Sequence, residues 1–355
     1  MTGTSLDSID LAWVLETAVG GPIEVLESLQ VPLTDSVIER CQSIITGAAL
    51  AAADLCQLEA DYTHALQQAL TTFQTRHPQM QPAVLGCHGQ TLYHAPALRS
   101  SWQLLNPYPL AQQCRCPVAF DFRRQDLAAG GQGAPLAPLF HASHFARDGE
   151  SVAVLNLGGL ANITRLSPGA PILGFDTGPA NTLLDLWTQT HFGVAYDHDG
   201  QYAARGQILP DLLQALLEDP YFSRPPPKST GREYFNLPWL QARSPVALET
   251  LAPEDVLRTL VELTAVSAMK SLPEEPEIVL VAGGGALNPV LMAALDAHTT
   301  ALVTTSAFSG IPPLEVESAC FAWLGLACLD QRPMPTPSIT GSTHPVVLGV
   351  LAPSC

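Results

Sequence analysis

The feature that most constrains the fold is a unit of strand, glycine turn and strand that opens both halves of the chain, at residues 3–15 and again at residues 152–166. Apolar strand patterns then alternate with helical patterns in each half, which is typical of layered α/β proteins. The chain has 355 residues, more than one hydrophobic core usually serves, so two domains are expected. We therefore predict two related α/β domains that face one another across a cleft.

The predicted elements are short and follow from apolar periodicity. Helices are expected where apolar residues recur at helical spacing, at 36–73, 182–190, 211–218, 257–271, 289–297 and 315–329. Strands are expected at the short apolar runs 9–15, 83–86, 118–122, 152–157, 162–166, 171–175 and 278–282. A stretch rich in Gly, Pro and Ala, residues 128–138, closes the first half.

The charge balance is strongly acidic: 33 Asp and Glu stand against 16 Lys and Arg, a formal net charge of −17. Such a surface repels phosphate backbones and anionic lipid, so nucleic-acid and membrane-surface roles are poor hypotheses, and a small molecule in a cleft is the better one. The sequence shows no membrane-span or signal-peptide pattern, and its 8 cysteines are scattered as buried thiols would be. We expect a cytoplasmic protein.

Three glycine turns are flanked by small hydroxyl or amide side chains, and two of them head the repeated units. Glycine lets backbone N–H groups converge on one point and hydroxyls add donors, so such turns can hold phosphate without lysine. An ordinary hairpin is the alternative for each turn alone. The residues are Gly3, Thr4 and Ser5; Asn156, Gly158 and Gly159; and Gly283, Gly284 and Gly285.

Two common nucleotide motifs do not fit the sequence. A Walker A loop needs glycine before its Lys-Ser pair, whereas Lys228 follows three prolines. The third glycine turn approaches the dinucleotide fingerprint, but Asn288 replaces its last glycine and no acidic residue lies at the ribose spacing. That turn serves equally well to open a helix against an adenosine.

Four carboxylates are candidates for chemistry. Asp176 follows an apolar strand and precedes Thr-Gly-Pro, so we expect it to project from a strand end as a general base, with a helix N-cap as the alternative. Asp7 and Asp10 lie beside the first turn, where they could hold Mg²⁺ through water or act as turn residues. Glu317 lies within an apolar helix, where it serves either the cleft or the first turn of that helix.

Histidine and cysteine patterns do not indicate a metal or hydrolase site. His141 and His144 have i, i+3 spacing, but no Glu-x-x-His motif or suitable cysteine pair accompanies them. Cys114 and Cys116 have the wrong spacing for a zinc knuckle, and the G-x-S-x-G motif of a Ser-His-Asp hydrolase does not occur. Packing or polar contacts are the expected roles of these residues.

A series of long motifs, spread over essentially the whole chain, indicates a resemblance to a known family. The sequence resembles the anhydro-N-acetylmuramic acid kinases of the sugar kinase, Hsp70 and actin superfamily. The motifs are MTGTSLDSID (1–10), HGQT (88–91), DFRRQDLAAGGQGAPL (121–136), NLGGLANIT (156–164), GFDTGPANTLLD (174–185), KSTGREYFN (228–236), GGGALNPVLM (283–292), VESACFAWLG (316–325) and PSITGSTHPVVLG (337–349).

The resemblance implies two actin-like (RNase H-like) α/β domains, the first at 1–140 plus about 326–355 and the second at 141–325. It implies an enzyme that hydrolytically opens the 1,6-anhydro ring of 1,6-anhydro-N-acetylmuramic acid and phosphorylates O6, using ATP and Mg²⁺, in cell-wall recycling. A kinase for another amino sugar and a nucleotide-binding actin-like protein with a weakened site are the alternatives. A homodimer stays open.

Residue roles follow from the same resemblance. Asp176 would activate the attacking water, and Glu317 would orient the water or sugar. The first phosphate loop would comprise Gly3, Thr4, Ser5, Leu6, Asp7, Ser8, Ile9 and Asp10, with Mg²⁺ at Asp7 and Asp10 through water. The second loop would comprise Asn156, Gly158 and Gly159, and the adenosine side Gly283, Gly284 and Gly285. The sugar would contact His88, Arg123, Thr177 and Asn181, with Arg123 on the lactyl carboxylate.

The first loop departs from the family pattern in two ways. Members usually carry a short strand before this loop, whereas the sequence starts at the loop itself. Ser8 occupies a position where the family usually has glycine. If that position requires a positive φ, we expect Ser8 to carry a strain of roughly 1 kcal/mol and to weaken ATP binding.

Overall fold

The computed structural model describes residues 1–3, 6, 8–226, 228–272 and 274–354. Its strands are β1 Ser8–Glu16, β2 Ile23–Pro32, β3 Leu85–Gly86, β4 Gln90–Ala95, β5 Ser100–Leu104, β6 Val118–Phe120, β7 Val152–Leu157, β8 Leu160–Leu166, β9 Leu173–Pro179, β10 Ile278–Ala282, β11 Leu302–Thr305, β12 Pro333–Met334, β13 Val346–Val347 and β14 Val350–Ala352.

Its helices are α1 Asp35–Ile45, α2 Ala52–Arg76, α3 Pro107–Cys114, α4 Arg124–Ala128, α5 Ala137–His144, α6 Asn181–Phe192, α7 Pro210–Leu217, α8 Pro220–Ser223, α9 Leu237–Arg243, α10 Pro253–Lys270, α11 Pro289–Asp296 and α12 Val316–Leu329. The chain divides into two compact units, unit 1 with Met1–Ser143 and Glu317–Cys355 and unit 2 with His144–Val316.

Unit 2 is built on one five-stranded sheet in the order β11-β10-β7-β8-β9. Strands β7, β8 and β9 pair antiparallel as a meander, while β10 and β11 add on the other side of β7 in parallel register. The residues of β10 are all apolar and all buried, as expected for a strand covered on both faces. This sheet positions Asp176 and two of the three glycine turns.

Helix α10 packs against that sheet and forms much of the unit 2 core. Proline opens the helix, Glu254 and Asp255 lie in its first turn and Lys270 in its last, which agrees with the helix dipole. Residues 259–269 are buried without interruption, so the helix is covered on all sides. The core also contains Trp187 from α6, whose indole N–H donates to the carbonyl of Pro253.

Unit 1 contains several small sheets instead of one large one. Strands β1 and β2 form an antiparallel hairpin, and β14-β6-β3 form a separate three-stranded sheet in which β3 and β6 are parallel. Strands β4 and β5 form a second hairpin, and β12 pairs with β13. The core packs α2 and α3 against the sheets, with Leu58, Tyr62 and Leu110 fully or almost fully buried.

The structure agrees with most predicted elements and differs at several ends. The predicted strands at 152–157 and 278–282 are β7 and β10 without change. The predicted strand at 171–175 runs further, to Pro179, because β8 begins at Leu160 and offers it a partner along that length. The predicted helical stretch 36–73 is two helices, α1 and α2. No helix in the described part of the chain is long and apolar enough to cross a membrane.

Candidate active site

Asp176 lies within β9 and not beyond a strand end, which corrects the prediction from sequence. Its Cα pairs in register with Asn162 of β8, and its backbone N–H donates to the carbonyl of Lys228 at 3.0 Å. The Tyr221 hydroxyl donates to the Asp176 carbonyl at 2.7 Å. The backbone of Asp176 is therefore fixed by β8 and by the segment that carries Tyr221 and Lys228. The N-cap alternative is excluded, because the residue before α6 is Ala180.

The Asp176 carboxylate is held by one backbone donor. Its Oδ2 accepts the N–H of Thr230 at 3.0 Å, while Oδ1 has no hydrogen bond to any described residue. Burial raises the pKa of this carboxyl above its ordinary 3.8, and the Thr230 N–H opposes that rise by stabilising the ionised form. A carboxylate with a raised pKa, one fixed oxygen and one free oxygen is suited to take a proton from water.

Lys228 fixes the loop that supplies this donor. Its ammonium donates to the carbonyls of Tyr221 and Phe222, each at 3.2 Å, and lies 4.8 Å from the Tyr221 ring centroid. Burial and the nearby charge of Arg224 lower the pKa of Lys228. The Lys228 ammonium is bound to two carbonyls of α8, and the Lys228 carbonyl accepts the backbone N–H of Asp176. Lys228 therefore joins α8 to the backbone of Asp176. The sequence motif 228–236 marked this segment but did not indicate this role.

The β7–β8 turn at Gly158 and Gly159 is tied to the start of α6. The backbone N–H groups of Asn181 and Thr182 donate to the carbonyls of Gly158 and Gly159, at 3.1 and 2.9 Å. A Cβ on Gly159 would lie 2.7 Å from Thr182 Oγ1 and 2.8 Å from a guanidinium nitrogen of Arg232. Thr182 Oγ1 is buried and has no hydrogen-bond partner in the described part of the chain. The turn thus brings glycine, a hydroxyl and a cation together, which are groups that hold phosphate.

The third glycine turn packs on the same β7 end. Gly283 has φ +78°, and a Cβ there would lie 2.6 Å from Asn156 Oδ1 and 2.7 Å from the Leu157 carbonyl. A Cβ on Gly285 would lie 2.5 Å from the Leu157 Cβ, whereas Gly284 is nearly open, with Asn181 Nδ2 at 3.5 Å. Unit 2 therefore unites the predicted second phosphate turn and the predicted adenosine turn in one place.

Two predicted sugar-binding residues take part in the sheet and its turn. Thr177 is completely buried, and its hydroxyl donates to the Ala161 carbonyl at 3.3 Å. Asn181 donates from Nδ2 to the Leu157 carbonyl at 3.0 Å, which joins α6 to the end of β7. In this structure their side chains hold the scaffold around Asp176 and the glycine turns. Their contact with sugar stays a prediction.

The first predicted phosphate loop is only partly described, since Thr4, Ser5 and Asp7 lie outside the described residues. The carbonyl of Gly3 accepts the N–H of Leu6 at 3.3 Å, and Leu6 has φ 59°. The side chains of Leu6 and Ile9 are 2% and 1% exposed, so they belong to the unit 1 core. Their side chains are therefore not available to a nucleotide.

Ser8 does not carry the strain predicted for it. It begins β1 and is not among the residues with positive φ, whereas Leu6, two residues earlier, has φ 59°. The Ser8 hydroxyl donates to Asp10 Oδ1 at 3.0 Å, and Gln30 Nε2 donates to both Ser8 Oγ and Asp10 Oδ1. The Asp10 carboxylate is thereby oriented by two neighbours. Among the described residues no three His, Cys, Asp or Glu side chains form a metal cluster.

His88 and Arg123 form a buried pair in unit 1. Arg123 donates from Nε to His88 Nε2 at 3.0 Å and from Nη1 to the Gly133 carbonyl at 2.7 Å. His88 Nδ1 lies 2.8 Å from the Gly89 carbonyl, so the neutral tautomer with hydrogen on Nδ1 satisfies both contacts. Burial, with the Arg123 charge, holds the pKa of His88 well below 6.5, and burial lowers the pKa of Arg123 to about 10.

Glu317 lies at the first turn of α12 with an exposed side chain. A carboxylate at this place is favoured by the helix dipole. Glu317 also interacts electrostatically with Arg123. Burial lowers the pKa of the Arg123 guanidinium, and the negative charge of Glu317 opposes that effect. The sequence left two roles open for Glu317. The structure places it in the first turn of α12, and its role in a cleft stays a prediction.

A cavity of about 210 Å³ adjoins His88 and contains residues that sequence reasoning missed. Asp121 has φ 54° and pairs with Arg124 at 3.3 Å, while none of the described residues forms a hydrogen bond with its buried Oδ1. The motif 121–136 contained both residues, yet only Arg123 was selected from it. The lining comprises Glu59, His88, Trp102, Gln103, Leu105, Phe120, Asp121 and Arg124.

Comparison with known proteins gives a family over the full length. A model of the anhydro-N-acetylmuramic acid kinase family matches residues 1–354. A Bordetella pertussis protein named anhydro-N-acetylmuramic acid kinase is 45% identical over 370 residues, which span 100% of this chain and 95% of that protein. An Idiomarina loihiensis protein of the same name is 42% identical over 366 residues, spanning 98% of this chain and 96% of that protein.

Among solved structures, the activator of the 2-hydroxyisocaproyl-CoA dehydratase from Clostridium difficile is similar with a TM-score of 0.43 and 10% identity, covering 87% of this chain and 88% of that chain. This likeness is too low to carry an argument. The sequence relatives and the family match confirm the resemblance, and the structure confirms the predicted α/β class with its two units. The chain belongs to the anhydro-N-acetylmuramic acid kinase family and is a phosphotransferase that acts on a sugar hydroxyl.

Proposed function

We propose that the chain hydrolytically opens the 1,6-anhydro ring of 1,6-anhydro-N-acetylmuramic acid and transfers the γ-phosphoryl group of ATP to O6. The product is N-acetylmuramic acid 6-phosphate, formed in peptidoglycan recycling. Family membership supports the substrate and the phosphoryl transfer. The observation that carries the mechanism is the Asp176 carboxylate, with a raised pKa, Oδ2 fixed by Thr230 and Oδ1 free of hydrogen bonds to described residues.

Asp176 acts as the general base for ring opening. It takes a proton from a water molecule whose oxygen attacks C1 of the sugar, and the C1–O6 bond breaks with its electron pair on O6. O6 then attacks the γ-phosphorus of ATP, and ADP leaves with the electrons of the broken phosphoanhydride bond. Attack of water on a sugar acetal with a carboxylate base is established chemistry in inverting glycosidases.

The glycine turns of unit 2 fit the polyphosphate and adenosine of ATP. A Cβ on Gly158 or Gly284 would meet only ordinary van der Waals contacts at 3.5–3.9 Å, and Thr182 Oγ1 beside Gly159 is a buried hydroxyl with no hydrogen-bond partner among the described residues. Arg232, next to the same glycine, supplies positive charge that the two lysines of the chain do not. Such groups stabilise charge on a transferring phosphoryl group mostly by position.

Mg²⁺ fits the donors of the first loop as a water-mediated ion. Mg²⁺ in kinases is held by one or two carboxylates together with water and substrate phosphates, so a complete protein cage is not required. The Asp10 carboxylate, oriented by Ser8 and Gln30, is a suitable outer-sphere acceptor. When bound, the ion would offset charge on the phosphates. Asp10 would orient its water ligands.

Arg123 and Glu317 act on the sugar. Two guanidinium nitrogens of Arg123 are committed to His88 and Gly133, while Nη2 has no hydrogen bond to any described residue and suits the lactyl carboxylate. His88 stays neutral and fixes the Arg123 plane. Glu317 orients water or sugar from the first turn of α12. We expect a cytoplasmic enzyme, and a homodimer remains an open alternative.

A turnover assay tests the proposal. The chain is incubated with ATP, Mg²⁺ and 1,6-anhydro-N-acetylmuramic acid in H₂¹⁸O, and the product is identified by mass spectrometry. We expect a 6-phosphate with one ¹⁸O at C1. Phosphorylation of a different amino sugar only, or ATP binding without transfer to any sugar, would contradict the proposal and favour the two alternative functions.

A further inference from the structure

Asp219, directly before α8, is a buried carboxylate to which the proposed mechanism assigns no role. Its side chain is 0% exposed, and donors fill both of its oxygens. Oδ1 accepts the backbone N–H of Tyr221 and the hydroxyl of Tyr234, each at 2.8 Å. Oδ2 accepts the indole N–H of Trp239 at 2.8 Å and lies 2.7 Å from a guanidinium nitrogen of Arg243. A buried carboxylate is tolerated only when such bonds and an opposite charge replace water, so the four donors have to be in place together.

These donors keep Asp219 ionised. Burial alone would raise the pKa of this carboxyl, but the three hydrogen bonds and the charge of Arg243 outweigh it. The pKa of Asp219 is therefore lowered from its ordinary 3.8. The carboxylate stays charged at neutral and mildly acidic pH, and it accepts from all four groups under those conditions.

Two of the donors lie at the two ends of one loop. Tyr221 begins the loop and Tyr234 ends it, and the structure describes its residues 221–226 and 228–234. Because both tyrosines donate to the same oxygen of Asp219, the carboxylate joins the two ends of the loop. We refer to Asp219, Tyr221 and Tyr234 as the Asp219 junction.

The loop closed by the Asp219 junction makes three contacts with Asp176. The hydroxyl of Tyr221 donates to the Asp176 carbonyl at 2.7 Å, and the Asp176 N–H donates to the Lys228 carbonyl at 3.0 Å. The Thr230 N–H donates to Asp176 Oδ2 at 3.0 Å. Burial and the charge of Asp176 raise the pKa of Tyr221, so its hydroxyl remains a donor. The loop therefore positions both the backbone and the carboxylate of Asp176.

The Tyr234 end of the loop fixes the Thr230 donor through a short turn. The carbonyl of Gly231, the residue after Thr230, accepts two backbone N–H groups. Those of Tyr234 and Phe235 donate to it at 3.1 and 3.2 Å. Phe235 is completely buried, whereas Tyr234 is 36% exposed and its hydroxyl is bonded to Asp219. The position of the Thr230 N–H thus depends on Asp219 as well as on the core.

We propose that Asp219 is a positioning residue for the reaction, which holds the Thr230 N–H on the Asp176 carboxylate. This inference rests on the proposed function, since Asp219 acts through the general base Asp176. The two tyrosines connect Asp219 to the loop, whereas Arg243 connects it to the last turn of α9 and supplies the opposite charge. Removing a tyrosine bond should therefore affect Asp176, and removing the Arg243 bond should affect stability alone.

The test compares two variants of the Asp219 junction with one matched control. Asp219→Asn places an amide NH₂ group where donors have to be accepted, and Tyr234→Phe removes only a hydroxyl. Arg243→Gln is the control, because it also takes a partner from Asp219 but leaves both tyrosine bonds in place. Three quantities are measured in the full chain: hydrogen exchange of the Thr230 amide by mass spectrometry, the acidic limb of kcat/KM, and the Tm.

We expect the Thr230 amide to exchange at least about tenfold faster in both junction variants, because exchange follows the opening of its bond to Asp176. The acidic limb should move to higher pH by roughly half a unit, because loss of that bond raises the Asp176 pKa and the base must be ionised. Asp219→Asn should move the limb no further when it is added to Thr230→Pro, since the bond is then already absent. Arg243→Gln should lower the Tm and leave both the exchange and the limb unchanged.

Unchanged Thr230 exchange in Asp219→Asn and Tyr234→Phe would overturn the proposal, and so would an equal increase in Arg243→Gln. If Asp219→Asn does not fold, the comparison of Tyr234→Phe with Arg243→Gln decides alone. Exchange requires no catalysis, so this proposal and the proposed function fail separately. Faster exchange confined to the junction variants, with a limb that does not move, would support the role of Asp219 and count against Asp176 as the base.

Discussion

Asp176 and Glu317 are the two carboxylates that we propose to take part in the reaction, and their surroundings differ. Asp176 lies within a strand, partly buried, with one oxygen held by the Thr230 N–H. Glu317 lies exposed in the first turn of a helix and interacts with the charge of Arg123. Burial makes proton uptake easier for Asp176. Glu317 instead lies at the positive end of the α12 dipole, and its charge favours the protonated guanidinium of Arg123.

This difference shows how the surroundings of a carboxylate can suit it to one or the other of the two proposed roles. A general base works best when its pKa is moved toward the working pH, and burial does this for Asp176. A group that orients water or sugar does not have to take up a proton, and this is the role proposed for Glu317 in the first turn of α12. The comparison predicts a large loss of turnover from neutralising Asp176 and a smaller loss from neutralising Glu317.

Asp176→Asn should have the largest effect, because the amide keeps the shape of the side chain but does not accept a proton from water. We expect turnover to fall about 10²–10⁴-fold while ATP affinity stays within about tenfold of the original. Initial rates of 6-phosphate formation and calorimetric titration with ATP measure the two quantities. A variant that keeps a near-normal rate would show that another group is the base.

The parts of the fold that could be predicted are those that depend on the local pattern of apolar residues. The strands β7 and β10 follow from continuous apolar runs, and α11 from Pro289 after the cap at Asn288. The end of β9 was not predictable, because it depends on pairing with β8. The small sheets of unit 1 depend on contacts between residues far apart in the sequence, such as Cys87 with Ala119 and with the ammonium of Met1, and no local pattern encodes them.

For the candidate site, the sequence motifs identified individual residues but not the groups that surround them in the structure. Asp176 was identified from its motif, but the Thr230 donor comes from a loop 54 residues later. Arg232 is brought beside Gly159 by the same loop. The strain expected at Ser8 was wrong because the turn is made at Leu6, and a sequence does not reveal which residue of a loop adopts a positive φ.

Arg123→Lys should have the next largest effect. We expect it to lower both the stability of the protein and its affinity for the sugar. Lysine cannot donate to both His88 and Gly133 in the geometry of the guanidinium, so buried acceptors lose partners. We expect the free energy of unfolding to fall by about 2–4 kcal/mol and the KM for sugar to rise. Urea unfolding and steady-state kinetics measure these changes, with Arg124→Lys, at a more exposed position, as the control. Equal unfolding midpoints for the two variants would contradict a structural role for the His88 pair.

Glu317→Gln should reduce kcat by about 10-fold to 100-fold with little loss of stability. The dipole contribution of one exposed first-turn carboxylate is only about 0.3–1 kcal/mol, so a pure capping role would leave kcat unchanged. Kinetics and urea unfolding are measured together to separate these roles, with Glu315→Gln just before the helix as the control. A variant with normal kcat and reduced stability would assign Glu317 to the helix terminus alone.

Thr230→Pro should have the smallest effect, a shift in pH dependence. The Thr230 N–H stabilises the ionised Asp176, so its removal raises the carboxyl pKa further, and the acidic limb of kcat/KM moves to higher pH. Because the base must be ionised, activity is lost as the pH falls through that pKa, and the variant should lose it earlier, by roughly half a unit to one unit.

Thr230→Ala is the matched control, because it keeps the backbone N–H and removes only the side chain. Its acidic limb should coincide with that of the original chain, while both variants keep the same rate on the alkaline side of the limb. If alanine shifts the limb as much as proline does, the side chain or the loop conformation controls the pKa. If neither shifts it, the limb belongs to a group other than Asp176. We also expect the effects of Thr230→Pro and Glu317→Gln to be independent of each other. At pH values above the acidic limb, Glu317→Gln should therefore lower kcat by the same factor with or without Thr230→Pro.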